Sequence, residues 1–241
     1  MYGSKLIRKI GETATIGEVM LDIFEFSSVE DQVALPKPKK RDLFFTKQVD
    51  QDSISELTES IIEIEKHDQY LKAIYKLHNL DYNPAPIKIY IDSYGGIVYQ
   101  CFGLISVMRE CKTPISTIVT GTAMSCGFII AISGHKRLCY ADSTYMYHQV
   151  STGAIGTLRD LESEFIEAAR LQHKIEEITL RHTKFTEQRL EEIYNMREDF
   201  FMGAEEALDY GCVDEVIGAI NTSQKVKAAR TVSKKPLNNK K

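Results

Sequence analysis

The sequence lacks the features that mark secreted and membrane-spanning proteins. Five cysteines are scattered among 241 residues without a Cys-x-x-Cys pair, so neither a disulfide framework nor a zinc site is expected. No apolar run reaches the length of a membrane span, and the polar, basic N-terminus lacks the apolar core of a signal peptide. The composition therefore predicts a cytoplasmic protein with reduced thiols and no membrane segment.

An excess of positive charge and a phosphate-binding loop are also missing. The formal net charge of −4 argues against nucleic acid as the main partner. No Gly-x-x-x-x-Gly-Lys-Ser/Thr loop is present, so a bound nucleotide is not expected. With 43% hydrophobic and 27% charged residues, the chain has the composition of a globular protein with one large domain or two small ones.

The two ends of the chain differ from its middle. Residues 1–40 are predicted to be an N-terminal arm and linker, because they carry no recognisable chemistry and end in a basic, proline-bearing stretch. Residues 221–241 are predicted to be a disordered basic tail, since lysine and arginine recur there without any acidic residue from position 225 onward. Residues 41–220 remain as the folded domain.

Within that domain, predicted strands alternate with predicted helices. This order indicates βαβ units and a mainly parallel sheet, in which ligands gather at the carboxyl ends of the strands. The strands are predicted at 41–46, 87–91, 115–119, 137–140 and 144–148, and a turn followed by a last strand is predicted within 210–217. A first helix is predicted to begin after a cap at Asp52 or Ser53, and a further segment with helical periodicity covers 67–83. Later helices are predicted at 98–110 and 156–194, the second with a break near 182–184. Two more helices are predicted to start at 128 and at 203.

A glycine-flanked serine lies at one predicted strand-to-helix turn. Ser125 belongs to Gly-Thr-Ala-Met-Ser-Cys-Gly (121–127), between an apolar run rich in β-branched residues and a second apolar run. A helix N-terminus offers free N–H groups and partial positive charge to a developing oxyanion, which suits a nucleophilic serine. The alternative is a tight turn whose serine only caps the helix. This stretch alone leaves both interpretations open.

Two more features follow predicted strands. The turn containing Gly95 and Gly96 comes after strand 87–91, and His148 ends strand 144–148. Because carboxyl ends of parallel strands share one edge of a sheet, these features and Ser125 are expected to lie close together. His148 is then a candidate general base, and Asp199 a candidate carboxylate to orient it. A core histidine and a solvated or capping aspartate are the alternatives.

The segment 156–194 carries a long apolar stripe at helical spacing. Such a stripe is buried against something. A helix of this length either packs on its own domain or projects and pairs with a partner subunit, and the pattern does not separate the two.

Five motifs occur in an order that resembles the proteolytic subunits of Clp proteases, the ClpP family. The resemblance covers about residues 41–217. Ile-Asp-Ser-Tyr-Gly-Gly (91–96) is similar to the family's Ile-Asn-Ser-Pro-Gly-Gly, and 121–127 to Gly-x-Ala-Ala-Ser-Met-Gly. Met-Tyr-His-Gln (146–149), Asp-Phe-Phe-Met-Gly-Ala-Glu-Glu-Ala (199–207) and Tyr-Gly-Cys-Val-Asp (210–214) resemble the three motifs that follow.

This resemblance implies an α/β fold of the ClpP/crotonase type, a spiral of βαβ units with a protruding handle helix after His148. It implies a serine endopeptidase. The residues that it assigns are Ser125 as nucleophile, His148 as base and Asp199 as its partner; the N–H groups of Gly96 and Cys126 as oxyanion hole; and Gly95, Ile97, Val98 and Gln149 as substrate-binding residues.

The resemblance also implies an assembly. The family forms a homo-oligomeric barrel of two stacked rings, classically a tetradecamer, into which an AAA+ unfoldase delivers unfolded polypeptides. ATP is then used by the partner, and this chain is expected to need no cofactor and no metal, and to bind neither nucleic acid nor membrane.

The chain departs from the family's motifs at several positions. Tyr94 and Val150 replace prolines, and Cys126 replaces a methionine as an expected small, buried apolar group. The segment 67–83 is longer than usual. Arg197-Glu198 reverses the family's Asp-Arg order, which predicts a ring–ring ion pair with exchanged signs and a preference for homotypic rings.

Two rival functions come from other classes of protein. A crotonase-like acyl-CoA enzyme shares the fold and the paired oxyanion amides, but does not need the serine, histidine and aspartate together. A catalytically weak scaffold or regulatory subunit of a mixed barrel is the other, and the intact triad argues against it.

Overall fold

The computed structural model describes residues 36–218, so the predictions for most of the N-terminal arm and for the basic tail lie outside the described residues. The predicted alternation of strands and helices is confirmed. The elements, in chain order, are β1 (Asp42–Phe45), α1 (Gln51–Leu77), β2 (Ile87–Ser93), α2 (Val98–Glu110), β3 (Ile115–Met124), α3 (Cys126–Ile132), β4 (Lys136–Tyr140), β5 (Thr144–Tyr147), α4 (Leu158–His182), α5 (Glu187–Met196), β6 (Phe200–Gly203), α6 (Ala204–Asp209) and β7 (Glu215–Ile217).

The strands form one mixed sheet with a parallel core. Strands β1, β2, β3, β4 and β7 lie side by side in that order, and all of their pairings are parallel. The carboxyl-terminal part of β3 extends past this core and pairs in parallel with β5, which pairs antiparallel with β6. The ends of β2, β3 and β5 therefore meet at one edge of the sheet, as the βαβ pattern predicts.

Helix α1 differs from its prediction at both ends. Its N-cap is Asp50, whose side chain accepts a hydrogen bond from the N–H of Ser53, while the Ser53 hydroxyl accepts from the N–H of Asp50. Ser53 is therefore the third helical residue of a capping box, not the cap. The helix runs without interruption to Leu77, so the two periodic segments predicted here are one helix. Residues 78–86 continue without helix.

A buried ion pair holds α1 against the sheet. Arg41, just before β1, binds both carboxylate oxygens of Asp68 on α1. Thr113 and Tyr82 donate further hydrogen bonds to Asp68, each at 2.8 Å. Burial by itself would raise the pKa of the Asp68 carboxyl, but these hydrogen bonds outweigh it and hold the pKa below its ordinary value.

Helix α4 is buried over only half of its length. Its carboxyl-terminal half packs Leu171, Ile175 and Ile178 into the core. Its first half projects, and Leu158 and Phe165 are each about three-quarters exposed, at 74% and 75%. The apolar stripe thus packs on its own domain in the second half of the helix and projects from it in the first half, and pairing of the projecting half with a partner subunit stays a prediction. The predicted break separates α4 from α5 at residues 183–186.

Helices long and apolar enough to cross a bilayer are absent from residues 36–218.

Candidate active site

Ser125 lies at the junction between β3 and α3. Strand β3 ends at Met124 and helix α3 begins at Cys126, so the predicted strand-to-helix turn is present. The backbone of Ser125 has φ 53° and ψ −124°, a conformation that L-residues rarely adopt. Its N–H donates to the Met146 carbonyl of β5 at 2.9 Å, which holds the turn in place. The pairing of Ser125 with β5 maintains this strained backbone, and the Ser125 hydroxyl lies at the carboxyl edge of the sheet.

His148 is brought to Ser125 by the pairing of β5 with β3. Its Nε2 lies 2.8 Å from Ser125 Oγ, within hydrogen-bond distance. It immediately follows β5, whose last paired residue with β3, Met146, stands opposite Met124. The two side chains, 23 positions apart in the sequence, therefore approach through strand register.

Asp199 stands on the far side of the imidazole. It precedes β6, and the antiparallel pairing of Phe200 with Tyr147 places it beside His148. Its Oδ1 lies 3.7 Å from His148 Nδ1, which is ion-pair proximity but longer than a hydrogen bond. The carboxylate side chain is half exposed, at 51%. Serine, imidazole and carboxylate thus stand in the order that general-base activation requires. The contact between the imidazole and the carboxylate is too long for a hydrogen bond.

The Gly95-Gly96 turn is fixed to a residue that the sequence did not identify. Val49, between β1 and α1, donates from its N–H to the Gly95 carbonyl at 2.8 Å and accepts from the Ile97 N–H at 2.7 Å. In such a parallel bridge, the N–H and C=O of the middle residue, Gly96, face the opposite side. That side holds Ser125 and Cys126.

The predicted oxyanion donors lie on two facing segments. The N–H of Cys126 opens helix α3, where the first N–H groups have no helical partner. The N–H of Gly96 faces the same space, and among the backbone–backbone hydrogen bonds within residues 36–218 neither amide is a donor. An ideal Cβ built on Gly95 would lie 2.9 Å from the Cys126 nitrogen, so the two segments are in close contact.

Two of the four predicted substrate-binding residues, Val98 and Gln149, line a small cavity beside Ser125, whereas Gly95 and Ile97 do not line it. This cavity of about 50 Å³ is lined by Val98, Gln149 and Ile175, together with Ser125 and His148. The Ile97 side chain is half exposed, at 49%.

A family profile described as Clp protease matches residues 38–219. The chain belongs to the Clp protease family. The ATP-dependent Clp protease proteolytic subunit of Deinococcus radiodurans is 38% identical over 133 residues, which cover 54% of this chain and 64% of that subunit. The ATP-dependent Clp protease proteolytic subunit 1 of Salinibacter ruber is 30% identical over 220 residues, covering 90% of this chain and 83% of that protein.

Membership of the Clp protease family confirms the resemblance drawn from the five motifs, and with it the predicted α/β fold class. The alignment with the Deinococcus subunit spans just under two thirds of that protein.

A larger groove adjoins the small cavity in this Clp family member. It has a volume of about 520 Å³ and lies between α4, α5 and the residues after His148. Phe165, Leu180 and Tyr194 are among its lining residues, and Gln149 donates to the Tyr194 carbonyl at its rim. Sequence reasoning missed this groove, because it depends on how α5 folds back against α4.

Clusters of three or more histidine, cysteine or acidic side chains suited to hold a metal ion are absent from the described part of this Clp family chain.

Proposed function

We propose that this chain is the serine endopeptidase subunit of an ATP-dependent Clp-type protease that cleaves unfolded polypeptides. The observation that carries the proposal is the 2.8 Å contact between Ser125 Oγ and His148 Nε2 at the carboxyl edge of the sheet. The names of its relatives, both ATP-dependent Clp protease proteolytic subunits, support it.

The reaction follows from this contact. Ser125 Oγ attacks the scissile carbonyl carbon while His148 Nε2 takes the hydroxyl proton, and the imidazolium then gives that proton to the leaving amine. Water attacks the resulting acyl-serine in the same way and releases the carboxylate product. Asp199 holds the Nδ1–H of the imidazole and stabilises its charged form, which requires the 3.7 Å separation to shorten.

Two backbone amides stabilise the tetrahedral intermediates. The N–H groups of Gly96 and Cys126 donate to the oxyanion, and loss of one such donor costs about 10²–10³ in rate. Substrate adds as a strand along Gly95, Ile97 and Val98, with Gln149 on the other side of the cleft. Because these contacts are largely to the main chain, recognition tolerates many sequences.

The working form is a homo-oligomer, two stacked rings of seven, served by an AAA+ unfoldase that uses the ATP. The exposed apolar half of α4 supports this proposal, since Leu158, Phe165 and Ile166 fit burial against a second copy. No metal, cofactor, nucleic acid or membrane enters the reaction. A cytoplasmic location agrees with five free, buried cysteines.

The test is hydrolysis by the purified, assembled protein. Wild type is expected to cleave a fluorogenic peptide without ATP and to degrade folded substrates only with an unfoldase and ATP. Ser125→Ala is expected to lose at least about 10⁴ in kcat while assembling normally. Equal turnover of both proteins would overturn the proposal.

One observation favours the scaffold alternative. The open contact between His148 and Asp199 is what a weakly active subunit would have. Hydrolysis that stays undetectable in fully assembled wild-type rings, with normal assembly of Ser125→Ala into mixed barrels, would support the scaffold instead.

A further inference from the structure

A basic cleft lies at the edge of the sheet opposite to Ser125. It has a volume of about 350 Å³ and is bordered by the carboxyl ends of α2 and α4 and by the turn from α3 to β4. None of the described residues that line it is acidic. Its five basic residues are Arg109, His135, Arg137, Arg181 and His182.

The ring of His135 is fixed in the wall of the basic cleft. Its Nδ1 accepts a hydrogen bond from the N–H of Ile115 at 3.0 Å, and its own backbone N–H donates to the Ile115 carbonyl at 2.9 Å. Because Nδ1 acts as an acceptor, the proton of the neutral imidazole lies on Nε2. This Nε2–H has no partner within residues 36–218, so it is available to donate to a ligand.

Two of the three arginines in the cleft also have donors to spare. Arg137 is already engaged, since its guanidinium binds Asp214 and two backbone carbonyls. Arg109 contacts Glu110 only through Nε, at 3.1 Å, so its two terminal nitrogens have no partner in the described part of the chain. Arg181 makes neither an ion pair nor a side-chain hydrogen bond with any residue from 36 to 218.

The cations at the helix ends have a structural alternative. Arg109 and Arg181 lie in the last turns of α2 and α4, where a positive side chain offsets the partial negative charge of the helix. That effect accounts for each arginine singly, but not for their lining one cleft together with a fixed imidazole donor.

The accumulated positive charge has a measurable consequence for His182. Burial lowers the pKa of this imidazole, and the nearby charges of Arg181, Arg137 and Arg109 lower it further. The cleft therefore disfavours an additional positive charge, and an anion bound there would relieve the repulsion between its arginines.

We propose that the basic cleft binds a phosphate group, held by the guanidinium groups of Arg109 and Arg181 and by the Nε2–H of His135. Arginine forks suit phosphate and carboxylate oxygens alike. Donors on three separate elements favour a tetrahedral phosphate, because its oxygens accept from several directions, whereas a planar carboxylate is matched by a single fork. The ligand is inorganic phosphate or a small phosphomonoester.

The experiment is isothermal titration calorimetry of inorganic phosphate into the full-length protein at constant ionic strength. Saturable binding at one site per chain is expected for wild type. Arg181→Gln and Arg109→Gln are each expected to weaken binding at least about tenfold, which corresponds to one charge-assisted hydrogen bond. Lys72→Gln is the matched control, because it removes an exposed positive charge of α1 outside the cleft, and wild-type affinity is expected.

Two further titrations identify the ligand. Glycerol phosphate that binds more tightly than inorganic phosphate would support a phosphomonoester, and the reverse order would support the free ion. Acetate is expected not to compete at equal concentration. Acetate that competes as well as phosphate would overturn the assignment of a phosphate group.

The variants also separate binding from a purely structural role. The side chains of Arg109 and Arg181 are exposed, so both variants are expected to fold and to hydrolyse peptide like wild type. If the arginines serve only the helix ends, the variants should be less stable in chloride and bind phosphate with unchanged affinity. Unchanged affinity, or the absence of saturable binding in wild type, would overturn the proposal.

Discussion

Gly95 has no space for a side chain. A Cβ at this position would lie 2.7 Å from both the Met124 carbonyl oxygen and Ser125 Cβ, and its φ of 99° is strained for any L-residue. We expect Gly95→Ala to displace the turn and lower kcat at least about 100-fold, the cost of one oxyanion donor. Gly103→Ala on α2 is the control, since nothing lies within 4 Å of its Cβ, and peptidase assays should show it unchanged. An active Gly95→Ala protein would show that the turn is not needed.

Asp199 is the least constrained of the three proposed catalytic residues. Its carboxylate approaches His148 Nδ1 without reaching hydrogen-bond distance. If it orients the imidazole during turnover, Asp199→Asn should lower kcat by about 10⁴ with little change in KM. Asp209→Asn, which removes an exposed carboxylate at the end of α6, serves as control and should stay near wild type. Steady-state kinetics that place both variants within tenfold of wild type would remove Asp199 from the mechanism.

At the scale of single residues, the sequence predicted the proposed catalytic side chains better than the backbone contacts that hold them in place. Ser125 and His148 were identified because each ends a predicted strand, a local property of the chain. Val49 was not, because its contact with Gly96 joins residues far apart in sequence and is made by backbone groups that every residue carries. The hydrogen bond from the Cys126 thiol to the Gly96 carbonyl was missed for a similar reason. The sequence predicts that the Cys126 side chain is buried, but it does not predict which backbone group accepts from the thiol.

At the scale of elements, the attachment of α1 depends on one buried carboxylate. Asp68 is 4% exposed and bound by Arg41, so Asp68→Asn leaves a buried guanidinium without its counter-charge. We expect a loss of about 3 kcal/mol in the free energy of unfolding at pH 7, measured by urea denaturation. Glu63→Gln removes the partner of Lys39 in an exposed pair and should cost under about 1 kcal/mol. Equal losses of unfolding free energy in the two variants would mean that the buried pair stabilises the fold no more than the exposed pair does.

The same pair predicts a pH dependence. The folded pKa of Asp68 is lowered, so its stabilisation is fully present above the ordinary carboxyl pKa of about 3.9 and is lost as pH falls through the folded pKa. The difference in stability between wild type and Asp68→Asn should therefore stay constant from neutral pH to about pH 5 and shrink below about pH 4. Urea titrations across that range measure it, and a difference that grows on acidification would contradict the assignment.

Element boundaries were predictable where the chain carries local signals. The break between α4 and α5 and the start of α6 follow from such signals. The start of α1 was misassigned because Asp50, Asp52 and Ser53 are all capping residues by type, and only the chain direction before the helix selects Asp50. The extension of β3 to Met124 depends on pairing with β5, which no local pattern encodes.

At the scale of the whole molecule, the exposed half of α4 is expected to join two rings. Phe165→Ser removes a large apolar side chain from this exposed half, because Phe165 is 75% exposed in the single chain. Light scattering should then give a particle of half the wild-type mass, a single ring in place of a double ring. Ser163→Ala on the same helix is the control and should keep the full mass. A variant at full mass would show that rings join elsewhere.

The order of charges at positions 197 and 198 gives a prediction about partner choice. Arg197 ends α5 in the left-handed conformation, and both side chains are exposed beside the catalytic edge. If this pair makes the ring–ring contact with exchanged signs, homotypic rings should form in preference to rings mixed with an ordinary ClpP. Native mass spectrometry of a co-expressed mixture measures the ratio, and a statistical distribution of subunits would refute the idea.

The most direct test of catalysis by Ser125 is intact-protein mass spectrometry after treatment of assembled particles with a fluorophosphonate. We predict a single adduct per wild-type chain, located on Ser125 and absent from Ser125→Ala, with labelling greatly slowed in His148→Ala. Assembled wild type that gains no adduct, or gains one on Cys126 instead, would contradict the account.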